Sequence, residues 1–302
     1  MKLSILTATY NRGNLLPRLY ESIVKNLIDD MDVEWLIMDD GSSDNTESIV
    51  SKFKEYEKIK IKYFKQENKG KMQAINNLTE KANGNLIIEC DSDDFFTPNA
   101  LKKVYKKYRI LQENKNLYAL VFLKNEDNET LSGNKFPFED KDTTMFELYY
   151  RYNLTGEKIV VYKAEIRKKY KYKIEKNEKF STEARLHHEI DLKYKVRCYN
   201  DVIVEGKYNE DGYTKNISKT FFENPKGYFM FFKEILEKRM NSINFKKRIY
   251  VIKHYILFST LTGYKICIKD VKSYLNKVLL VLLMIPGKIR SKQYIKKHSL
   301  SF

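Results

Sequence analysis

The sequence contains few of the residues that build cross-linked, fibrous or low-complexity proteins. Its 302 residues include 3 cysteines, 5 prolines and 11 glycines. The cysteines, Cys90, Cys198 and Cys267, are odd in number, far apart and without a CxxC pair. This argues against a disulfide framework and against a zinc site, and it fits a reducing cytoplasm. So few prolines and glycines exclude collagen-like and low-complexity structure.

Long apolar segments are also missing. In the last part of the chain, Val278–Ile285 gives eight apolar residues in a row before Pro286. A membrane-spanning helix needs roughly 20 such residues, so this run does not cross a bilayer alone. The short run Leu3–Ala8 near the start is too short for the core of a signal peptide and predicts a β-strand.

The composition that is present supports a folded core and an uneven charge. Hydrophobic residues make up 42% and aromatic residues 14% of the chain, which excludes a disordered protein. Residues 226–302 carry 17 basic and 3 acidic side chains, whereas residues 1–225 carry 39 and 37. A nearly neutral body with a basic tail favours an anionic partner, either a membrane surface or a nucleic acid.

The first half of the chain alternates between short apolar runs and segments with helical spacing. The predicted strands are Leu3–Ala8, Val33–Met38, Ile59–Phe64, Leu86–Cys90 and Leu117–Leu123. Strands that alternate with helices predict an α/β fold with a parallel sheet. Ligands of such sheets bind at the carboxyl ends of the strands.

Polar residues follow three of these strands at that edge. They are the segments Thr9–Arg12, Asp39–Asp40 and Asp91–Asp94. Closely spaced carboxylates repel each other, and oxygen ligands of this kind suit Mg²⁺ or Mn²⁺. The alternatives are ordinary ones. Asp91–Asp94 could be a solvated acidic turn, and residues 39–44 could be a turn in which Asp44 caps the next helix.

Four segments, taken in order, resemble one family. They are Thr-Ala-Thr-Tyr-Asn-Arg at 7–12, Asp-Asp-Gly-Ser-Ser-Asp at 39–44, Asn-Lys-Gly-Lys at 68–71 and Asp-Ser-Asp-Asp at 91–94. Together they resemble the family 2 glycosyltransferases of the GT-A fold, strongly over 1–115 and more weakly over 150–220. The resemblance implies a Rossmann-like α/β fold with a mostly parallel sheet flanked by helices. It is absent from the tail, where the mostly helical pattern from about Pro225 and the excess of basic residues predict a basic helical C-terminal extension.

The resemblance also implies a division of the chain. Residues 1–222 would form the catalytic domain, with a nucleotide-sugar-binding half at 1–115 and an acceptor-binding half at 116–222. Residues 223–302 would form the helical extension, which we expect to contact a membrane or to form a dimer.

The resemblance further implies an inverting hexosyltransferase that uses a nucleotide-diphosphate sugar, with a UDP-hexose as the expected donor. Asp93 and Asp91 match the two ends of the family's DxD motif and would hold Mn²⁺ or Mg²⁺, while the share of Asp94 stays open. The residues expected to bind the nucleotide sugar are Thr9, Tyr10, Arg12, Asp39, Asp40, Lys71, Asp91, Ser92, Asp211 and Thr214.

An inverting transferase needs a carboxylate that takes a proton from the acceptor hydroxyl. Residues 178–183 resemble the family segment that ends in this base, which makes Glu183 the candidate. Its ordinary alternative is a carboxylate in the first turn of a helix, stabilised by the helix dipole. Glu178 and Glu189 are fallback candidates. His187 and His188 are expected to be surface or packing residues.

Bacterial members of the family act on glycan or lipid-linked acceptors, which implies a role in surface polysaccharides such as capsule or lipooligosaccharide. We therefore expect a cytoplasmic protein, peripheral on the inner face of the membrane and attached by its basic tail. The tail could equally form a homodimer contact. A sugar nucleotidyltransferase is an alternative, although residues 7–14 lack its glycine-rich basic loop. A nucleic-acid-binding protein is another, but the tail has no reader motif, so no nucleic-acid partner is expected.

Overall fold

The structure is a computed structural model that describes residues 1–126, 130–206 and 217–298. The chain divides into two compact units. The first comprises Met1–Tyr172 and Leu186–Asn209, and the second comprises Lys173–Arg185 and Glu210–Phe302. The predicted site residues Asp211 and Thr214 lie outside the described residues. The domain boundary at residue 222 stays a prediction.

The first unit is built on one nine-stranded sheet in the order β3-β2-β1-β4-β8-β6-β9-β5, with β7 paired to β9. The strands are β1 Lys2–Thr9, β2 Asp32–Asp39, β3 Lys60–Lys65, β4 Leu86–Glu89, β5 Asp94–Phe96, β6 Leu117–Asn125, β7 Lys141–Thr143, β8 Lys158–Lys163 and β9 Lys195–Gly206.

Strands β3, β2, β1 and β4 are parallel, as the alternating pattern predicts. Beyond them the sheet is mixed, because β8 runs antiparallel between β4 and β6. Strand β9 is parallel to β6 and antiparallel to both β5 and β7. Apolar runs give strand position but not direction, so the sequence could not reveal the reversed β8.

Helices cover the sheet of this unit. They are α1 Leu16–Lys25, α2 Thr46–Glu55, α3 Lys71–Lys81, α4 Ala100–Glu113, α5 Met145–Tyr150, α6 Ala164–Arg167 and α7 Glu183–Ile190, of which α7 begins in the second unit. Leu16, Leu19 and Ile23 recur at helical spacing and are all fully buried in the core with Trp35 of β2. Burial of this stripe is what holds α1 against the sheet.

Register places the ends of three parallel strands at one edge. Thr9, the last residue of β1, pairs with Asp39, the last residue of β2, and Leu6 of β1 pairs with Glu89 at the end of β4. The segments that follow these strands therefore leave the sheet side by side. This is the edge where ligands of parallel α/β sheets bind.

The second unit is helical and confirms the predicted helical C-terminal region. Its helices are α8 Ile217–Glu223, α9 Pro225–Lys238, α10 Phe245–Thr262 and α11 Tyr274–His298. Aromatic stacking joins α9 to α10, with the rings of Phe229 and Tyr255 at 5.0 Å. Helix α11 continues through Pro286 and packs on α10. None of the helices in the described ranges is both long and apolar enough to cross a membrane.

Candidate active site

The loops after β1 and β2 are bonded to each other. Asn11, in the left-handed region at φ 50°, donates its backbone N–H to Ser42 Oγ at 2.9 Å. Its Oδ1 accepts from the Ser43 N–H at 2.8 Å. The N-cap position of α2 is Asn45, but the capping contact comes from Asp44, whose Oδ1 accepts from the N–H of Thr46, the first residue of α2, at 3.1 Å. The other oxygen of Asp44 accepts from the Gly13 N–H at 3.0 Å, so Asp44 also joins the two loops.

The two carboxylates after β2 organise the next loop. Asp39 accepts from the Ser42 N–H and from the Tyr63 hydroxyl, both at 2.6 Å. Asp40 accepts from the backbone N–H groups of Lys69 and Gly70, both at 2.8 Å. Both carboxylates are buried. Asp40 therefore fixes the path of the chain into α3, and Asp39 joins the turn after β2 to Tyr63 of β3. Both also lie where a nucleotide is expected.

Lys71 opens α3 and reaches the acidic segment after β4. Gly70 before it has φ 90°, a backbone conformation that favours glycine, and this turn aims the helix start at the site. The Lys71 Nζ lies 2.8 Å from both carboxylate oxygens of Asp91. Burial raises the pKa of Asp91, but the charges of Lys71, Lys124 and Arg12 outweigh it and hold that pKa below its usual value.

Each of the other acidic residues in this segment also has a cationic partner. Arg12 Nη1 lies 3.0 Å from Asp93 Oδ2. Lys124 Nζ lies 2.8 Å from Asp94 Oδ2 and 2.7 Å from Glu157 Oε2. Burial lowers the pKa of Lys124, but these carboxylates reverse the effect and raise it.

Opposing effects act on the pKa of Asp94, the carboxyl partner of Lys124. Burial, with the charges of Asp91 and Asp93, raises the pKa of Asp94 above its usual value, although the contact with Lys124 opposes this shift. Because the ammonium lies 2.8 Å from the carboxylate, we describe Asp94 and Lys124 as a charged pair.

Three further predicted residues lie in the same loops. Thr9 and Ser92 are buried, and Tyr10 is 48% exposed. The Thr9 hydroxyl has no hydrogen-bond partner in the described part of the chain. The structure thus joins Arg12, Lys71 and the acidic segment directly and places Thr9, Tyr10 and Ser92 at the same strand ends.

Comparison with known proteins agrees with this geometry. Residues 4–171, more than half of the chain, match the family described as Glycosyl transferase family 2. The chain belongs to glycosyl transferase family 2. The match spans the strand-end segments and most of the sheet, so the resemblance seen in the sequence is confirmed.

Curated relatives of this family 2 chain align over about a third of its length. An uncharacterised glycosyltransferase of Mycoplasma pneumoniae is 40% identical over 106 residues, which are 34% of this chain and 36% of its own length. The GalNAc(5)-diNAcBac-PP-undecaprenol beta-1,3-glucosyltransferase of Campylobacter jejuni is 34% identical over 108 residues, or 35% and 34% of the two chains. The match spans about a third of these relatives.

The solved structure of S. aureus TarS 1–349 in complex with UDP-GlcNAc has a similar fold. Its TM-score is 0.64 at 16% identity, and the likeness covers 100% of this chain and 92% of that chain. At this identity the likeness concerns the fold alone. It confirms the GT-A class and the helical C-terminal region predicted for the family 2 chain.

The acidic segment offers part of the ligand set for a divalent metal ion. Carboxylate oxygens of Asp91 and Asp93 are ligands that Mg²⁺ and Mn²⁺ prefer. Within the described ranges, however, no group of three or more His, Cys, Asp or Glu residues is arranged to hold an ion. Mg²⁺ is commonly bound by one or two carboxylates together with substrate phosphates. The donor set therefore fits a divalent cation that arrives with a diphosphate.

The candidate bases lie around the start of α7. Glu183, the first residue of α7, is exposed and belongs to the second unit. Glu178, in the same unit, accepts from the N–H groups of Lys226 at 2.6 Å and Gly227 at 2.8 Å in the first turn of α9. Glu178 is thus occupied in holding a helix start, where a negative charge is favoured. The role of Glu183 stays a prediction.

The remaining fallback and the histidines lie on the same helix. Glu189 is partly exposed on α7. His187 Nε2 lies 2.7 Å from the Tyr162 hydroxyl, and the His188 ring packs edge-on against Phe146 at 4.9 Å. Both histidines are buried, so they are packing residues of the first unit.

Sequence reasoning missed several residues that shape this family 2 site. They are Lys124, Glu157, Tyr63 and Gln66, the last of which donates to Asp40 at 2.7 Å. Lys124 had a detectable signal, because it is a charged residue at the carboxyl end of the apolar strand β6. The others had none, since their pairing follows from the packing of distant segments.

Proposed function

We propose that this family 2 protein transfers a sugar from a nucleotide-diphosphate sugar to a hydroxyl acceptor with inversion. One observation carries the proposal. Arg12, Lys71, Asp91 and Asp93, from segments that follow β1, β3 and β4, form two ion pairs at the carboxyl edge of the sheet. A parallel α/β sheet binds its ligand at this edge, and the two cations suit a diphosphate.

A UDP-sugar is the donor that we propose, with a hexose as the sugar. The proposal is supported by the fold shared with TarS, whose solved complex contains UDP-GlcNAc. Asp39 and Asp40 lie at the end of β2, where their oxygens could accept from base or ribose groups. Thr9, whose buried hydroxyl has no hydrogen-bond partner among the described residues, and Tyr10 would line the same pocket.

Arg12 and Lys71 would move their hydrogen bonds from aspartates to the diphosphate when the donor binds. The positive charges would then stabilise the negative charge that develops on the leaving group. Asp93 and Asp91 would hold Mn²⁺ or Mg²⁺ together with the diphosphate. Such a cation, when bound, neutralises the leaving phosphate.

Glu183 is the residue that we propose as general base. The acceptor oxygen would form a bond to the anomeric carbon while the bond from that carbon to the donor phosphate oxygen breaks. The acceptor proton passes to the Glu183 carboxylate, and the nucleoside diphosphate leaves with the bonding electrons. The transition state has oxocarbenium character, as in glycoside hydrolysis.

The acceptor that we propose is a glycan or lipid-linked hydroxyl of a bacterial surface polysaccharide, such as capsule or lipooligosaccharide. The undecaprenol-linked substrate in the name of the C. jejuni relative supports this class. An acceptor of this kind favours a protein in the cytoplasm, peripheral on the inner face of the membrane. The basic C-terminal region is the part that we assign to this attachment.

Release of nucleoside diphosphate from a panel of sugar nucleotides tests the reaction, with Mn²⁺, with Mg²⁺ and with EDTA. We expect one donor to be turned over and EDTA to stop the reaction. Asp93→Asn should lower turnover by about a hundredfold or more. The matched control Asp29→Asn changes an exposed aspartate outside the site and should keep full activity. Full activity of Asp93→Asn would overturn the proposal. It would also be overturned if the unchanged chain neither turned over a donor nor bound UDP in a metal-dependent way.

A further inference from the structure

Helix α11 carries a row of large apolar side chains on its outer side, which we name the outer stripe. Its members are Leu275, Val278, Leu282, Ile285 and Ile289. They recur at steps of three and four residues, so they share one helix face. They are strongly exposed, Leu282 at 68% and Ile285 at 72%. Isolated exposed apolar residues are ordinary, but a continuous row of this kind marks an interaction surface.

The opposite face of α11 is buried against α10. Leu280 and Ser291 are buried, and Gly287 approaches Ile256 of α10 so closely that an added Cβ would lie 3.0 Å from its side chain. The helix therefore packs on α10 with one face and leaves the outer stripe on the opposite face exposed. The stripe spans about 21 Å along the helix axis at 1.5 Å per residue.

The charges of α11 narrow the choice of partner. The helix contains six basic residues and no acidic residue. They are Lys277, Lys288, Arg290, Lys292, Lys296 and Lys297. At 100° per residue, Lys288 and Arg290 project to the two flanks of the outer stripe, and Lys292 and Lys296 continue it toward the C-terminus. An apolar row bordered by cations is the pattern of a helix that lies in a membrane interface.

We propose that the outer stripe of α11 inserts into an anionic lipid surface, with its basic residues at the headgroups. A second copy of the chain fits less well, because two such helices would bring like charges together without an acidic partner. A nucleic acid would satisfy the cations but would offer little to a row of aliphatic side chains. This inference deepens the membrane part of the proposed function by naming the surface that performs it.

Flotation of the full chain with lipid vesicles tests the inference. The vesicles are phosphatidylcholine alone and phosphatidylcholine with an equal part of phosphatidylglycerol. We expect binding to the anionic vesicles that falls as salt is raised. Leu282→Glu should weaken it at least about tenfold, because a charge replaces an inserted apolar group. Replacing Lys288, Lys292 and Lys296 together by Gln should weaken it about a hundredfold.

Matched controls change the same residue types elsewhere. Leu192→Glu alters an exposed leucine of the first unit, and Lys102, Lys106 and Lys115 replaced together by Gln alter exposed lysines there. Both controls should bind as the unchanged chain does.

Three results would overturn the inference. The first is that the chain does not bind anionic vesicles, and the second is that the variants and the controls lose vesicle binding equally. The third is that the chain forms a dimer in solution, which Leu282→Glu dissociates, and does not bind vesicles. The assay needs neither donor nor acceptor, so its failure would leave the proposed sugar transfer standing.

Discussion

Arg12 and Asp93 are joined by an ion pair with 3.0 Å between Nη1 and Oδ2, although 81 residues separate them in the chain. The pair ties the segment after β1 to the segment after β4. Both side chains are only partly exposed, at 29% and 17%. The contact therefore links two of the sequence motifs directly and brings a cation to the acidic segment.

The pair should contribute to stability as a unit. Arg12→Gln and Asp93→Asn should each lower the free energy of unfolding by about 1 kcal/mol, and the double variant should lose less than the sum. Urea unfolding of the four proteins measures this coupling. The exposed pair Glu21–Lys25 on α1 is the control, with an expected coupling of about 0.5 kcal/mol or less. Additive losses at Arg12 and Asp93 would contradict the prediction.

Lys124 should be a larger contributor. Its ammonium lies between Asp94 and Glu157 and is nearly buried. Lys124→Met would leave the buried Asp94 carboxylate without its cation, so we expect a loss of about 3 kcal/mol in urea unfolding. Asp94→Asn in the same chain should recover part of the loss, and Lys124→Arg should be milder than Lys124→Met. A Lys124→Met protein as stable as the unchanged chain would show that the pair contributes little.

Glu183 and Glu178 should separate catalysis from structure. Glu183→Gln should lower kcat by about a hundredfold or more without changing the unfolding midpoint, since the side chain is exposed. Glu178→Gln should lower stability by about 1 kcal/mol, because its charge holds the first turn of α9. Glu165→Gln, a change at an exposed glutamate of α6, is the matched control and should keep both turnover and stability. The assignment is wrong if Glu178→Gln abolishes turnover in a folded protein and Glu183→Gln does not.

Glu34 should make the fold acid-sensitive. Its carboxylate is fully buried and accepts from Ser4, Lys62 and the Asn83 N–H. Burial raises the pKa of Glu34, but these contacts outweigh it and lower the pKa to about 2. A lowered pKa gives stability that is present above the unfolded pKa of about 4.3 and lost as pH falls toward 2.

The size of this effect is on the order of 3 kcal/mol, because each unit of pKa shift corresponds to about 1.4 kcal/mol. Urea unfolding between pH 7 and pH 2 measures it. Glu34→Gln should be less stable at neutral pH and should lose much less on acidification. Glu21→Gln, a change at an exposed glutamate, should follow the unchanged chain. Equal acid sensitivity of Glu34→Gln and the unchanged chain would contradict the assignment.

Much of the site could be predicted because its parts are local. Asp39, Asp40 and Asp91 each follow an apolar strand, and a parallel sheet brings such strand ends to one edge without further information. The contacts that the sequence did not predict depend on how segments that are distant in the chain pack together. Tyr63 meets Asp39 from the neighbouring strand, and Lys124 meets Asp94 from across the sheet. Neither contact follows from spacing along the chain.

The α/β class, the four motifs of family 2, the basic C-terminal region and the apolar run in it can all be read from the amino-acid sequence. These are properties of composition and of short-range periodicity, which can be recognised without knowledge of the fold. Four features became visible only in the folded chain: the reversed strand β8, the ion pairs at the site, the contact of Glu178 with the start of α9 and the exposure of the outer stripe. Each of these depends on which distant segments pack together, because burial and charge pairing are set by neighbours in space.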